Sequence, residues 1–256
     1  VHASYKERYG EMTDLYDRPY QTDYRNSVWN CGILPVYRQQ LYSVYGEYKN
    51  TAREFFATVN LTHNREWYNR IYEQRIENGQ VQRVSLPLSN HGSGYTVKST
   101  LSKGFYDLGL KTSLLALLNI SKAEQISGGQ RLPYQYRLMR LEPKVIWTPN
   151  RHWETSYQTD IRYGGSKIGE RTRLAPLWNV IQQVRFSYIF SPIEASLSVD
   201  HYHNDVNEDQ SVNAVFADFS VLWKSRRWQI TATATNLFDK RTYAYTRYAS
   251  LELSLI

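Results

Sequence analysis

The chain has 256 residues and a formal net charge of +7, with 22 tyrosines and 7 tryptophans. Its glycine and proline contents are ordinary, which excludes a disordered or low-complexity protein. Cys31 is the single cysteine, so an internal disulfide framework and a cysteine zinc site are excluded. Lysines and arginines are scattered and form no basic stripe or tail of the kind that follows phosphates. We therefore expect no nucleic-acid partner.

Residues 1–35 show no long regular pattern, and we predict a loop and the remnant of a strand there. From residue 36 onward the dominant period is two, which is typical of β-strands. No linker or shift in composition divides the chain. The sequence predicts a single all-β domain over residues 1–256, with a meander of long strands over residues 36–256.

Alternate side chains in these strands differ in character. In LWNVIQQVRFSYIF, residues 177–190, one set is apolar and aromatic and the other is mostly polar. Residues 152–163 divide in the same way, and residues 229–235 alternate Thr with Ala or Ile. Such strands are expected to separate two different solvents, lipid on one face and water on the other.

The predicted connections alternate in length along the chain. Short links fall near residues 49–55, 103–109, 147–153, 190–194 and 224–228, with longer polar stretches between them. The strands exceed the typical soluble length of about 5 to 6 residues and reach the 9 to 11 or so that a tilted strand needs to cross a bilayer. Because a sheet in lipid can have no free edge, we predict an antiparallel up-and-down transmembrane β-barrel. The chain would supply about 10 to 12 strands of a larger barrel.

Residues 235–246, TNLFDKRTYAYT, resemble a signature near the carboxyl terminus of TonB-dependent outer-membrane receptors. Residues 30–35, NCGILP, are similar to a loop that precedes a barrel strand in that family, with Cys31 where the family usually has proline. The Tyr-rich strands look most like the barrel portions of Bacteroidota receptors. The signature residues are Asn236, Leu237, Phe238, Asp239, Lys240 and Tyr243.

The resemblance implies a barrel of about 22 strands in the bacterial outer membrane. Such receptors take up a scarce nutrient, for example a metal chelate, cobalamin or a glycan, past an N-terminal plug domain. The implied partners are outer-membrane lipid and lipopolysaccharide, the plug domain and energy-coupling protein of the parent chain, and a surface lipoprotein. No plug or energy-coupling motif is recognisable within these 256 residues.

Two groups of side chains are candidate ligand contacts. One group shares the polar face of neighbouring predicted strands, and the other lies in a long link predicted to be external. Both have a structural alternative, because charges in a polar lumen also pair with one another and aromatic residues also occur in variable loops. The candidates are Asp160, Arg162, Gln183, Asp200 and Tyr202 on the polar face, and Trp67, Tyr68 and Tyr72 in the link.

Other patterns favour a structural interpretation. His201 and His203 share one face of a strand and could capture a metal, but that face is apolar, so we expect them to meet lipid headgroups. Tryptophans near strand ends are typical of an interfacial girdle. The sequence contains no nucleophile triad, phosphate loop or selected carboxylate pair. We expect no enzymatic activity, cofactor or bound metal. The alternatives to nutrient uptake are a passive porin, a structural or adhesive barrel, and a secreted carbohydrate-binding module.

Overall fold

The computed structural model describes residues 1–24, 26–77, 80–169, 172–205 and 210–239 of the protein. These residues form one sheet of 15 strands, which confirms the predicted all-β class. Two short 3₁₀ helices, Met12–Leu15 and Tyr106–Leu108, interrupt the strands. Among the described residues, no helix combines the length and apolar character needed to cross a membrane.

The strands differ greatly in length, and those of the central part are the longest. In chain order they are β1 His2–Tyr9, β2 Tyr20–Gln21, β3 Asn26–Trp29, β4 Val36–Asn50, β5 Phe55–Tyr68, β6 Ile71–Glu77, β7 Gln80–Leu86, β8 Asn90–Phe105, β9 Leu110–Ser127, β10 Gln130–Asn150, β11 Trp153–Ile168, β12 Thr172–Phe190, β13 Ile193–Asp205, β14 Ser211–Lys224 and β15 Gln229–Ala234.

Eleven strands form an antiparallel meander in the order β1-β4-β5-β8-β9-β10-β11-β12-β13-β14-β15. This order confirms the predicted up-and-down arrangement and its predicted number of strands. The sheet is open, since β1 and β15 lie at opposite ends of that path in the described part of the chain. The other four strands form a side branch in which the β6–β7 hairpin contacts β3 through β7 and β9 through β6.

The short links are confirmed as tight turns, but the prediction of long polar loops between them is wrong. β9 and β10 continue into each other through the two residues Gly128 and Gly129, both at positive φ. The link after β5 contains the β6–β7 hairpin, which places Trp67 and Tyr68 in β5 and Tyr72 in β6. The backbone ladder needs only paired N–H and C=O groups, so strands extend beyond the point where their apolar pattern ends.

The two faces of the meander are chemically different. We call the face that carries Leu61, Val97, Leu118 and Trp178 the apolar face, and these four side chains are between one third and one half exposed. The opposite face, which carries Asn60, Thr100, Asp160, Gln183 and Asp200, is the polar face. No second layer of described residues covers the apolar face. The assembly therefore has no dry interior of the kind found in a β-sandwich.

Candidate functional site

Four charged side chains form a network on the polar face. Arg140 on β10 is the cross-strand partner of Arg162 on β11, and Asp160 bridges the two arginines. Its carboxylate accepts hydrogen bonds from Arg140 at 2.9 and 3.0 Å and from Arg162 at 2.5 and 3.1 Å. Glu142 Oε1 lies 2.6 Å from Nε of Arg140. Two positive and two negative groups thus compensate one another.

The remaining polar-face candidates lie on the two following strands. Gln183 Nε2 on β12 donates to Asp200 Oδ1 on β13 at 2.8 Å. Tyr202 packs edge-on against Phe216 of β14, with ring centroids 5.6 Å apart. The structure therefore brings all five candidates onto one face of three adjacent strands. Contact of these side chains with a ligand stays a prediction.

A cavity of about 510 Å³ lies where the polar face meets the β6–β7 hairpin and the chain before β4. Its volume is in the range of small-molecule sites. Two of the predicted aromatic candidates, Tyr68 and Tyr72, line this cavity. The third, Trp67, alternates to the opposite face, where its cross-strand partners are Arg38 and His91. The structure thus divides the three aromatic candidates between two surfaces.

The cavity wall contains a packed pair of tyrosines. The rings of Tyr37 and Tyr68 are 4.9 Å apart, and the Tyr68 hydroxyl donates to Glu66 Oε2 at 2.8 Å. Burial, together with the nearby Glu66 carboxylate, raises the pKa of both Tyr37 and Tyr68 well above the usual range. Both residues lie at the far ends of their strands, beyond the 10 or so residues next to the short turns. Their hydroxyls remain neutral at physiological pH.

The cavity also presents arginines around an aromatic ring. Arg70 is buried and forms an ion pair with Asp14 at 2.9 Å. The Arg83 guanidinium lies 3.8 Å from the centroid of Tyr72, and that of Arg70 lies 4.9 Å from it. Among the described residues Arg83 has no carboxylate within ion-pair distance. The site can offer this cation, together with neutral hydroxyls and ring faces, to an anionic or aromatic group.

Sequence reasoning missed Tyr37, Arg70 and Arg83 as cavity residues. The alternation of β4 places Tyr37 on the polar face, but no pattern in the sequence shows that the hairpin folds back over it. The available signal was the mixed Arg and Tyr composition of the link after β5. That signal identified Tyr72 and not its two cationic neighbours.

Two aromatic pairs define a band on the apolar face of β11 and β12. Tyr163 and Trp178 are cross-strand partners with ring centroids 4.7 Å apart. Trp153 and Tyr188 are a second such pair, 5.9 Å apart. On each strand the two pairs are separated by ten residues, or about 33 Å along the strand. At the strand tilt of about 40° found in membrane barrels, the band between them is about 25 Å tall.

His203 of the histidine pair has local structural partners, and the described signature residues form a turn. His203 Nδ1 lies 2.8 Å from Asn213 Oδ1, and its Nε2 lies 3.3 Å from Asp205. No cluster of metal-ligating side chains is found among the described residues. After β15, Asn236 and Asp239 adopt φ of 54° and 49°, a left-handed conformation that Asn and Asp tolerate better than most residues. The signature therefore ends the strand in a turn; Lys240 and Tyr243 lie outside the described residues.

Comparison with known proteins leaves the family open. No protein-family model matches the sequence, and the search of curated proteins gives no match. One solved structure, the translocator domain of the autotransporter NalP from Neisseria meningitidis, aligns with 90% of this chain and 78% of its own chain. The identity is 9% and the TM-score is 0.30, values too low to support an argument about fold or function. The resemblance to TonB-dependent receptors stays a prediction that rests on sequence patterns, chiefly the signature residues.

Proposed function

We propose that the chain forms part of the wall of an outer-membrane β-barrel. The observation that carries this proposal is the uncovered apolar band between the two aromatic pairs, which are ten residues apart on each strand. If the strands are tilted as in membrane barrels, this spacing gives about the 25 Å height of their lipid-facing band. Large apolar side chains remain exposed along this band, including Trp178 at 41% and Tyr188 at 46%. In water such a surface is unfavourable, whereas lipid covers it without cost.

If the apolar face lies in lipid, the sheet must also close into a barrel. The edges of the described sheet, β1 and β15, have backbone groups that must be paired if they lie in hydrocarbon. We propose that the edges at β1 and β15 are paired in the membrane, so that the sheet is part of a closed cylinder. The polar face, with the Arg140–Asp160–Arg162 network, then lines the wet interior, where paired charges are tolerated.

Within this class we propose a TonB-dependent receptor that takes up a scarce nutrient. The support is the signature at residues 236–243, together with the cavity at the end of the polar face that lies opposite the short turns. Ligand would enter between Tyr68, Tyr72 and Arg83, and a plug domain and energy-coupling protein would drive its passage. A metal chelate, cobalamin and a glycan all remain candidate ligands, and a surface lipoprotein a candidate partner.

Membrane placement is tested by expressing the full parent gene and fractionating the cells. We expect the protein in the outer-membrane fraction, extracted only by detergent and migrating differently on gels before and after heating. A secreted carbohydrate-binding module would instead stay in solution without detergent. Recovery of a folded, detergent-free protein would contradict the proposal.

The receptor proposal is tested by growth on single scarce nutrients. Deletion of the gene should abolish growth on one nutrient, and deletion of the energy-coupling protein should have the same effect. Uptake that survives loss of energy coupling would indicate a passive porin, and unchanged growth on every nutrient would indicate a structural or adhesive barrel. At the cavity, Arg83→Ala should impair growth, whereas Arg151→Ala, in a short turn at the other end of the sheet, should not.

A further inference from the structure

A shallow groove lies on the apolar face, just past the end of its apolar residues. Its volume is about 290 Å³, and its wall includes Arg65 of β5, Gly92 and Ser93 of β8, and Lys122 of β9. Arg65, Ser93 and Lys122 are cross-strand partners in one line. Two strand spacings of about 4.8 Å therefore separate the two cations. The small side chains on β8 leave the space between Arg65 and Lys122 open.

Neither cation of the groove is neutralised within the described part of the chain. Arg65 and Lys122 are both exposed, and no ion pair of the described residues includes either one. Glu66 and Glu124 also line the groove. Glu124 is paired with Arg131 at 3.2 Å, and Glu66 accepts three side-chain hydrogen bonds from neutral groups at 2.7 to 3.0 Å. Both carboxylates are therefore engaged by other side chains, and neither forms an ion pair with Arg65 or Lys122.

An aromatic stack places the groove at the rim of the apolar band. The His63 ring lies between the rings of Tyr42 and Tyr95, with centroids 6.4 and 4.3 Å away. These three residues are cross-strand partners and occupy the position on β4, β5 and β8 where interfacial aromatic residues are expected. Arg65 lies two residues beyond His63, and its Nε donates to His63 Nε2 at 3.3 Å. This contact uses the Nε–H group, and the guanidinium has four further N–H groups.

We propose that this groove binds the phosphate group of an anionic lipid headgroup in the outer leaflet, with Arg65 and Lys122 as its two ligands. The inference rests on the membrane placement proposed above. Arg65 on β5 and Lys122 on β9 lie on the two sides of β8, so both side chains can reach one phosphate placed above β8. Guanidinium groups bind phosphate through paired N–H donors. Two further cations lie on the same face of the neighbouring strands: Arg137 on β10 and Lys167 on β11.

The test uses the full parent protein reconstituted in phosphatidylcholine vesicles. Vesicles contain a minor fraction of either bis-phosphorylated lipid A or the same glycolipid without phosphates, and bound lipid is counted by native mass spectrometry after release. The variant Arg65→Gln/Lys122→Gln removes both proposed ligands. The variant Lys98→Gln/Lys144→Gln removes two cations of the polar face that form no ion pair with any described residue, and it serves as the matched control.

We expect the wild type and the control to retain the phosphorylated glycolipid in preference to the phosphate-free one. Each cation near a lipid surface contributes roughly fivefold in affinity, so the groove variant should lose about 25-fold. Equal retention by the groove variant and the wild type would overturn the inference, and so would displacement by millimolar inorganic phosphate. Vesicle flotation separates the two proposals. If no form floats, the membrane placement fails; if all float without phosphate preference, only the groove proposal fails.

Discussion

Replacement of Val184 by arginine tests the position of the apolar band. Val184 lies on the apolar face of β12, four residues from Tyr188 and six from Trp178. At about 3.3 Å per residue and a tilt of about 40°, Val184 lies within about 3 Å of the plane halfway between the two aromatic pairs. In the proposed barrel this plane is the middle of the bilayer. An arginine at that depth costs about 2–4 kcal/mol, which reduces the folding equilibrium constant roughly 30- to 700-fold.

Two control variants separate the effect of lipid from that of the substitution. Ile193→Arg lies just outside the band on the same face and should cost only about 0–1 kcal/mol. Gln183→Arg, next to Val184 but on the polar face, places its cation near Asp200 and should be similarly mild. The free energy of unfolding is measured by guanidinium titration in phosphatidylcholine vesicles with tryptophan fluorescence. Similar costs for all three variants would refute a lipid-facing band.

Three further predictions concern separate parts of the molecule. A double-mutant cycle of Trp178→Ala and Tyr163→Ala should give a coupling free energy of about 0.5–1.5 kcal/mol in vesicles, and additive effects would contradict the ring contact. Because the pKa of Tyr68 is raised by burial, its contribution to stability is full below pH about 10 and is lost as pH rises further. In Tyr68→Phe the free energy of unfolding should therefore fall less steeply with rising pH above about 10 than it does in the wild type. Gly109→Ala, at positive φ with its new Cβ against the backbone oxygen of Thr148 in β10, should cost about 1–3 kcal/mol. The cost should be lower for Gly128→Ala, which has positive φ and open space around the new Cβ.

Alternation in the sequence was sufficient to predict the long strands of the meander from β4 onward and their two faces. In residues 177–190 it separates Trp178 and Tyr188 from Gln183 and Arg185, and the structure keeps these sets apart. The turns next to the apolar band were also predictable, because polar and turn-forming residues interrupt the alternation there. The strand ends opposite those turns could not be predicted. Both faces carry polar side chains there, so the sequence shows no alternation although the backbone remains paired.

The cavity could be predicted only in part. Tyr68 and Tyr72 were recognisable as aromatic residues in a polar link. Their neighbour Asp14 reaches the same cavity because the amino-terminal segment folds onto the sheet, and the hairpin closes the cavity over Tyr37 of β4. Such contacts between distant segments depend on tertiary packing, and one sequence does not encode them in a local period.

In the proposed outer-membrane barrel, the turn between β9 and β10 would project from the membrane on the side opposite the short turns. Its tip extends eight residues past Ile120, or about 26 Å along the strand, and the backbone N–H of Gly129 donates to Glu73 at 3.0 Å. Glu73 follows Tyr72 directly in β6. In that placement an antibody that binds the turn would contact a residue that is hydrogen-bonded to Glu73, next to the aromatic wall of the cavity. Binding at the turn would therefore be coupled to the proposed ligand site through one hydrogen bond.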